Sequence, residues 1–565
     1  MAKIPDKFYR DFSGGVRRDK SPYDLKDNEL LRGRNFELDD QGRIRKRRGS
    51  ILFGQNLNNI IRFHHDNNGL YAADLHGTEL SVWKLASTTN DSALTTSSTT
   101  IAVSPAAQLE TGGSAEIDGD QFAYSAGGDG ATLTTVTGLN ESHNAVRAIN
   151  QWKDLGAFTG HVSDEVWFTY LNALTVVMSN DVATNSDMST INSSGTIAAV
   201  ATLDVNARLL ETFRDRVYTT LNNTIYYSNL GAVAFPATIE DNSFDIEDQS
   251  GEIITAIKQY RKNLLIFKKS TAYAYSGSLP VRQLSSRYGV HNDNCIQEIN
   301  GLLYGFGPAG VWAGNGVSFI NIGEPVKEYL DLILWRNTTT NSPLSEVKTA
   351  QIEGKFLISL GASITDPDSS LSTTTPILVY DTIKKNWSMW TNLSSVIWGM
   401  SALSNFRSGN AGLLQDGPIL LFTDSTLVYR MFENRFTERV SSSGSGTQKG
   451  GDIYQDNYAN ASGSAITMNV VTKPFDLGLP NWKKEFGYLK VFCEKPQGMS
   501  ISVIIDDGDP IPLGQCNKRI NRFKFPAKAN KGYRCSVVVD ESSINSSCIF
   551  NGCIFEECKT ISQDA

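Results

Sequence analysis

The sequence predicts a mainly β protein: a β-propeller with an inserted small β-module and a C-terminal β-sandwich-like domain. Three observations predict it. From Ile51 onward, short apolar, aromatic and β-branched runs alternate with Gly, Asn and Asp, and few stretches show helical period. Hairpin dipeptides recur at Asn68-Gly69, Asp118-Gly119, Asp129-Gly130, Asn300-Gly301, Asn315-Gly316, Asp416-Gly417, Asp507-Gly508 and Asn551-Gly552, where positive φ suits tight turns. Similar strand cadences also return along the chain, and radial repetition of four-stranded units makes a propeller with few exposed edges.

At 565 residues the chain exceeds one ordinary core and predicts two or three domains, or one large β-domain with appendages. Its 40% apolar and 20% charged residues, with 47 Gly and 26 Phe, belong to a globular protein. The N-terminal MAKIPDKFYRDF has no apolar core of a signal peptide, and no stretch approaches a membrane span, so a soluble chain without a membrane-spanning segment is expected.

Residues 1–50 are basic through Arg17, Arg18, Arg32, Arg34 and the run Arg43, Arg45, Lys46, Arg47, Arg48. The whole chain carries a net charge of -8, which opposes generic binding to DNA phosphates and leaves the remainder more acidic still. That asymmetry reads as a basic docking arm for an acidic partner, with Gly14 and Gly15 permitting a turn or a close backbone approach.

Residues 51–440 carry the propeller pattern. RLLETFRDRVYTTLNNTIYYSN and the following stretch to Gly277 read as successive short strands, and the cadence returns at 299–323, 353–361 and 376–390. Blade count is not fixed by the pattern. Within this region, 87–148 is rich in Thr, Ser, Ala and Gly and poor in Lys and Arg. Alternation in AEIDGDQFAY favours a folded β-module over a polar loop, with strands in TTIAVS, GSAEIDGDQFAYS and ATLTTVTG.

Residues 441–465, opening SSSGSGTQKGG, read as a flexible linker or loop. Residues 466–565 hold alternating runs, AITMNVVTKPFDLG, FGYLKVFCE, SISVIIDDG, YRCSVVVD and CIFNGCIFEE, each suited to bury one face of a sandwich. Six of the seven cysteines fall here without zinc-ligand spacing and read as reduced, buried side chains.

Chemistry-bearing patterns are sparse. The six histidines form no HExxH or HxH, and no phosphate-binding loop or nucleophile elbow is present. No cofactor, metal or catalytic residue is assigned, and a non-enzymatic role is expected. His64 and His65 would face opposite sides of a strand. Acidic groups at Asp39-Asp40, Asp118/Asp120 and Asp506-Asp507/Asp509 sit beside Gly at predicted turns, which is ordinary turn chemistry. Trp387, Trp390 and Trp398 offer the competing class, a sugar-stacking platform on a carbohydrate-binding or depolymerising propeller.

The opening Phe12-Ser13-Gly14-Gly15, Ser21-Pro22, Asn35, Gly42-Arg43-Ile44-Arg45-Lys46-Arg47 and Gly49 resembles the start of tail tubular protein B, the tail nozzle family of short-tailed bacteriophages, with Arg48 where the family form has Pro. IYYSN (225–229), the stretch 254–277, GPAGVWAGNG (307–316), the segment from Tyr380 to Trp387 and TKPFDLGLPNWKKEFGYLKV (472–491) extend the resemblance. The inserted module is similar to a small β-module of phage virion proteins, and His143 matches its usual histidine. The resemblance implies a structural virion protein of the tail, made in the host cytoplasm. It implies a ring, hexameric in the family, below portal and adaptor, which retains and then conducts genomic double-stranded DNA and meets tail fibres or spikes. It makes Gly14, Gly15, Arg43, Arg45, Lys46, Arg47 and Arg48 the candidates for docking on a neighbouring subunit or the adaptor.

Overall fold

The computed structural model describes residues 2–563 apart from 56, 58–59, 77–78, 105–108, 118, 144, 146, 159–164, 181–185, 201–202, 204, 237, 247, 249–250, 337–346, 361–375, 392–400, 404–418, 424–426, 432–438, 441–446, 449–454, 460–461, 496–497, 528–529 and 544–547. Five consecutive stretches each fold into their own four-stranded antiparallel sheet with strands in sequence order, from Val166–Leu171 through Asn386–Trp390. A sixth sheet precedes them, built on Ile60–Asp66, Gly69–His76, Glu79–Asn90 and Ala148–Phe158. The seventh takes Ser401–Leu403, Ile419–Thr423 and Val428–Met431, and completes itself with Ser50–Leu52 from the N-terminal side.

Apolar side chains fill the space between successive sheets all the way round. Tyr71, Val82, Val166 and Phe168 join the first two sheets. Val176, Leu210, Phe213 and Leu264 continue through the next two. Leu265, Trp312, Phe356 and Leu378 carry the core on to the sixth. Leu357, Trp390, Leu420 and Tyr429 bridge the sixth and seventh. Phe63, Ala72, Leu421 and Val428 then return to the first. A chain of packed faces that meets its own start is a closed ring, so the propeller has seven blades, numbered one to seven from Ile60. Central strands of such a stack are covered on both faces, which is why Asn263–Phe267 and Leu302–Gly307 read as continuous apolar runs rather than alternating ones. Closing the last blade with a strand from the other end of the propeller sequence ties the ring shut and leaves no open edge there.

The hairpin dipeptides are mostly turns. Asn300, φ 52°, and Gly301, φ 76°, join the first two strands of blade five. Asn551-Gly552 is different: it lies inside the strand Ile549–Glu556, at a bulge opposite Phe492 and Cys493. Its glycine is required because a Cβ there would stand 2.3 Å from the Tyr9 carbonyl oxygen. Asp416-Gly417 lies outside the described residues.

The 87–148 insertion is a folded module growing from the two outer strands of blade one. Thr100–Ser104, Gly113–Ile117, Asp120–Tyr124 and Thr132–Thr134 are its strands, and Ile101, Ile117, Phe122, Leu133 and Val136 form its own core. Most of the 441–465 segment lies outside the described residues, but Gln455–Ala459 and Ser462–Ala465 are strands, the former pairing with Ser50–Leu52.

Two six-stranded sheets form the C-terminal sandwich around a shared core that includes Phe36, Ile44, Val470, Val491, Ile501, Val539 and Phe550. Tyr488–Glu494 alternates half-buried and buried at every residue, as a one-faced strand must. Residues 1–50, expected as a separate arm, supply five of the twelve strands of these two sheets. Lys7–Tyr9, Phe36–Leu38 and Ile44–Lys46 join one sheet; Gly15–Val16 and Glu29–Arg34 join the other. The physical reason is that the basic residues alternate with apolar ones: Phe12, Val16, Leu30, Phe36 and Ile44 are all buried. All seven cysteines are free and buried. Among the described residues no helix is long and apolar enough to cross a membrane.

Candidate functional site

The basic run begins at a side-chain-locked turn. The Asp39 carboxylate accepts the backbone N–H groups of Gln41 and Arg43 at 2.9 Å each, and the Arg43 Nε at 2.5 Å. Burial opposes the charge on Asp39, but these hydrogen bonds outweigh it and hold the carboxyl below its ordinary value. Arg43 reaches onward to Glu494 Oε1 at 2.7 Å, within the sandwich. Arg45 donates to Glu37 Oε2 at 3.0 Å. Burial would raise the Glu37 carboxyl, yet the charges of Lys355, Arg48 and Arg45 lower it.

Lys46 points the other way, into the sandwich. Its side chain is fully buried, 3.3 Å from the equally buried Glu541 carboxylate, and it donates to the Ser543 carbonyl. Burial pushes Glu541 up to about 7, with Lys46 opposing, and pushes Lys46 down, with Glu541 opposing.

Arg47 makes the joint between the two large domains. Its buried guanidinium donates from Nε to Asn35 Oδ1 at 2.9 Å, and to the carbonyls of Arg48 and Thr391 at 3.0 Å each. Thr391 closes blade six. Asn35 serves both sides: its Oδ1 also accepts the Thr391 N–H at 2.7 Å, and its Nδ2 donates to Thr391 Oγ1 and the Thr467 carbonyl. Asn35 holds a left-handed φ of 54°, a conformation asparagine tolerates better than most residues. Arg48 ion-pairs at 3.1 Å with Glu353 of the same blade. On the other sandwich sheet, Gly15 has φ 65° and lies flat on blade six, where a Cβ would come 2.8 Å from Asn386 Cβ and the Trp387 carbonyl. The Asn386 side chain donates to the Ser13 carbonyl at 2.8 Å.

Thus Gly15, Arg47 and Arg48 converge on blade six, while Arg43, Arg45 and Lys46 are engaged inside the sandwich; Gly14 lies between them, bonded to the Asn28 carbonyl. Lys46, Arg47 and Arg48 are buried, so the surface on which they would dock is already this chain's own. Reading cations from sequence misses this because Asn35, Glu353, Thr391 and Glu541 carry no local signal of partnership. The arrangement suits rigid coupling: buried charged groups tied by hydrogen bonds and ion pairs to both domains.

Several other sequence candidates within the described residues are engaged in the fold itself. His143 lies 3.2 Å from Asp120, both buried, and Asp120 accepts the N–H groups of Asn140 and Glu141 at 2.6 and 2.9 Å. That pair pins the loop at the module's end. His64 bonds Asp66 at 3.1 Å and stacks on Phe168, while His65 is half-buried on the opposite side of the strand. Asp506 accepts the backbone N–H groups of Tyr533 and Arg534, so its carboxylate ties its turn to a distant segment of the sandwich rather than serving the turn alone. Trp387 and Trp390 do not form a sugar platform: both are buried in blade-to-blade core, and Trp387 Nε1 donates to the Ile322 carbonyl. Trp398 and His161 lie outside the described residues. Among the described residues no three His, Cys, Asp or Glu side chains gather as a metal site.

No family model matches the sequence, and no curated protein matches it. Solved structures with partial likeness include the computationally designed Ika8 protein, at 10% identity and TM-score 0.32, covering 68% of this chain and 100% of that one. Hsv2 of Kluyvelomyces marxianus gives 9% identity and TM-score 0.30, covering 64% and 98%. The N-terminal domain of Nup159 gives 11% and 0.29, covering 54% and 85%. Likenesses at these TM-scores carry no argument about function.

Proposed function

We propose that the chain is a structural subunit of a phage tail nozzle, assembling into a ring below the portal and adaptor through which double-stranded DNA leaves. The observation that carries the reading is where the resemblance residues fall. Gly15, Asn35 and Arg47, separated by up to 32 positions in sequence, all act at the joint between propeller and sandwich, and Gly42 closes the turn that feeds it. A motif scattered along fifty residues thereby has one mechanical purpose, to hold two β-domains at a fixed angle. A wall that must stay aligned while a stiff polymer passes needs such a joint. The acidic balance of the chain suits the same role, since phosphates slide past an acidic surface but are held by a basic one. In this reading six copies surround the DNA, and the adaptor, fibres or spikes bind the ring from outside.

Electron microscopy of the purified full chain, alone and with its adaptor, tests the reading. A ring with a hole wide enough for duplex DNA is expected. A stable monomer that cleaves polysaccharide would overturn it.

A further inference from the structure

The sandwich is anchored at one rim of the propeller and ends away from it. Its two sheets begin beside blade six, with Gly15–Val16 in one and Phe36–Leu38 in the other, and finish at the edge strands Ile511–Gln515 and Ile520–Lys524. In a ring of seven, the point opposite blade six falls between blades two and three. The subunit therefore has two poles, the distal edge of the sandwich and the outer strands of those two blades.

The poles carry opposite charge. Residues 517–524, NKRINRFK, hold four exposed cations, Lys518, Arg519, Arg522 and Lys524, and no acid, with Ile520 53% exposed among them. Acids near this edge are engaged elsewhere. Glu556 and Glu557 hold Arg522, Glu494 holds Arg43, and Asp506 and Asp507 bond the Tyr533 N–H and the Tyr23 hydroxyl; Asp509 is exposed at that opposite hairpin. Lys518, Arg519 and Lys524 enter no ion pair among the described residues.

On blade three the balance is reversed. No cation lies between Arg216 and Lys258, while Glu240, Asp241, Asp245, Glu247, Asp248 and Glu252 do. Glu240, Asp241 and Asp245 are exposed on and beside the outer strand Ser243–Asp245. Arg216 is turned onto the Tyr227 ring and the Ser228 carbonyl, and Arg214 is offset by Asp215 beside it. The outer strand of blade two, Ile197–Ala199, carries no charge, and that of blade four, Arg282–Ser285, carries one cation. Both poles are also sheet edges: Ser243–Asp245 pairs only with Thr224–Tyr227, and Ile520–Lys524 only with Tyr488–Glu494, among the described residues. Cations along an edge keep it from pairing with its own kind and leave an acidic edge as its mate.

We propose that copies of this chain join head to tail, the basic edge Ile520–Lys524 of one subunit lying against the acidic outer edge of blade three of the next. Lys518, Arg519 and Lys524 face Glu240, Asp241 and Asp245 across the contact, and Ile520 is covered by it. The two patches differ and stand at opposite poles of one subunit, so the contact is heterologous, the kind that closes rings. Nucleic acid is the competing occupant of the basic edge, but it leaves the complementary acidic pole without a role, and that pole repels phosphates. Closure into a ring rests on the nozzle reading; the contact itself is testable alone.

The test is sedimentation velocity of the full chain at low ionic strength, with circular dichroism as the folding control. Wild type is compared with Lys518→Glu/Arg519→Glu/Lys524→Glu, with Glu240→Lys/Asp241→Lys/Asp245→Lys, and with all six substitutions together, and a photo-crosslinker at position 520 of the otherwise unchanged chain reports the occupant. Each triple variant is expected to weaken self-association about 10- to 100-fold, three ion pairs contributing about two- to five-fold each. The six substitutions together are expected to recover most of that loss, and crosslinks to fall in 239–248 of another copy. Unchanged association of a folded triple variant, no recovery in the sixfold variant, or crosslinks elsewhere on the chain or to nucleic acid would overturn the proposal. Rings that persist in the triple variants would sink this contact and leave the nozzle reading standing. Dimers or open chains that depend on the contact and never close would uphold it and count against the nozzle reading. A wild type that stays monomeric would sink both.

Discussion

Replacing Arg47 by Met separates a docking arm from an internal joint. A cation on an exposed arm contributes about 0–1 kcal/mol to folding, so its removal would leave stability unchanged and only weaken assembly. Arg47 is fully buried and donates hydrogen bonds of 2.9 to 3.0 Å to Asn35, to the Arg48 carbonyl and, across to blade six, to the Thr391 carbonyl. Each hydrogen bond from a charged donor contributes roughly 1.5–3 kcal/mol, and Met restores part of the packing volume, so a net loss of about 3–5 kcal/mol is expected. Arg47→Lys should recover little of this, because an ammonium cannot span three acceptors set for a planar fork. Arg43→Ala is the internal control: that side chain is half-buried at the surface, and its loss should cost about 1 kcal/mol or less. Urea unfolding followed by tryptophan fluorescence reports locally, since the guanidinium lies 5.9 Å from the Trp390 ring centroid. With several domains unfolding, the relevant quantity is the midpoint of the transition in which Trp390 becomes exposed. Equal midpoints for Arg47→Met and Arg43→Ala would refute the joint.

Three further outcomes follow from the same geometry. Lys46→Met should destabilise the sandwich by about 3–5 kcal/mol by stranding Glu541, whereas Lys46→Met/Glu541→Leu should come back close to wild type; thermal unfolding of the four proteins forms the cycle. Gly15→Ala should lower the melting temperature and loosen the propeller from the sandwich, seen as new proteolytic cleavage, because both its φ of 65° and its contact with Trp387 exclude a Cβ. His291 is pushed down to about 4 by burial and by Lys269, and neither ring nitrogen has a protein hydrogen-bond partner. Its folded value lies below the unfolded one, so its contribution is present above about pH 6.5 and is lost as pH falls toward 4. His291→Phe should flatten the acid limb of stability against pH in that window by up to about 3 kcal/mol.

Much of the fold is legible in the sequence because its signals are local. Turn dipeptides such as Asn300-Gly301 and apolar runs such as those in 254–277 announce strands wherever they occur, and alternation in AEIDGDQFAY is enough to show the module as folded. Two features resist such reading because they depend on partners hundreds of residues away. The strand Ser50–Leu52 looks like the start of the propeller but completes its last blade, beside Val428–Met431. The basic run looks solvated because a cation carries no mark of its distant acceptor: Lys46 meets Glu541, Arg48 meets Glu353, and Arg47 meets Thr391. Apolar residues spaced between the cations, Phe36 and Ile44 among them, are the one local hint that this segment is sandwich rather than arm.

Native mass spectrometry of the full-length chain across a concentration series tests the central claim most directly. One closed assembly of six copies is expected, with no open-ended series of intermediates at high concentration. A monomer at every concentration, with or without the adaptor, would contradict it.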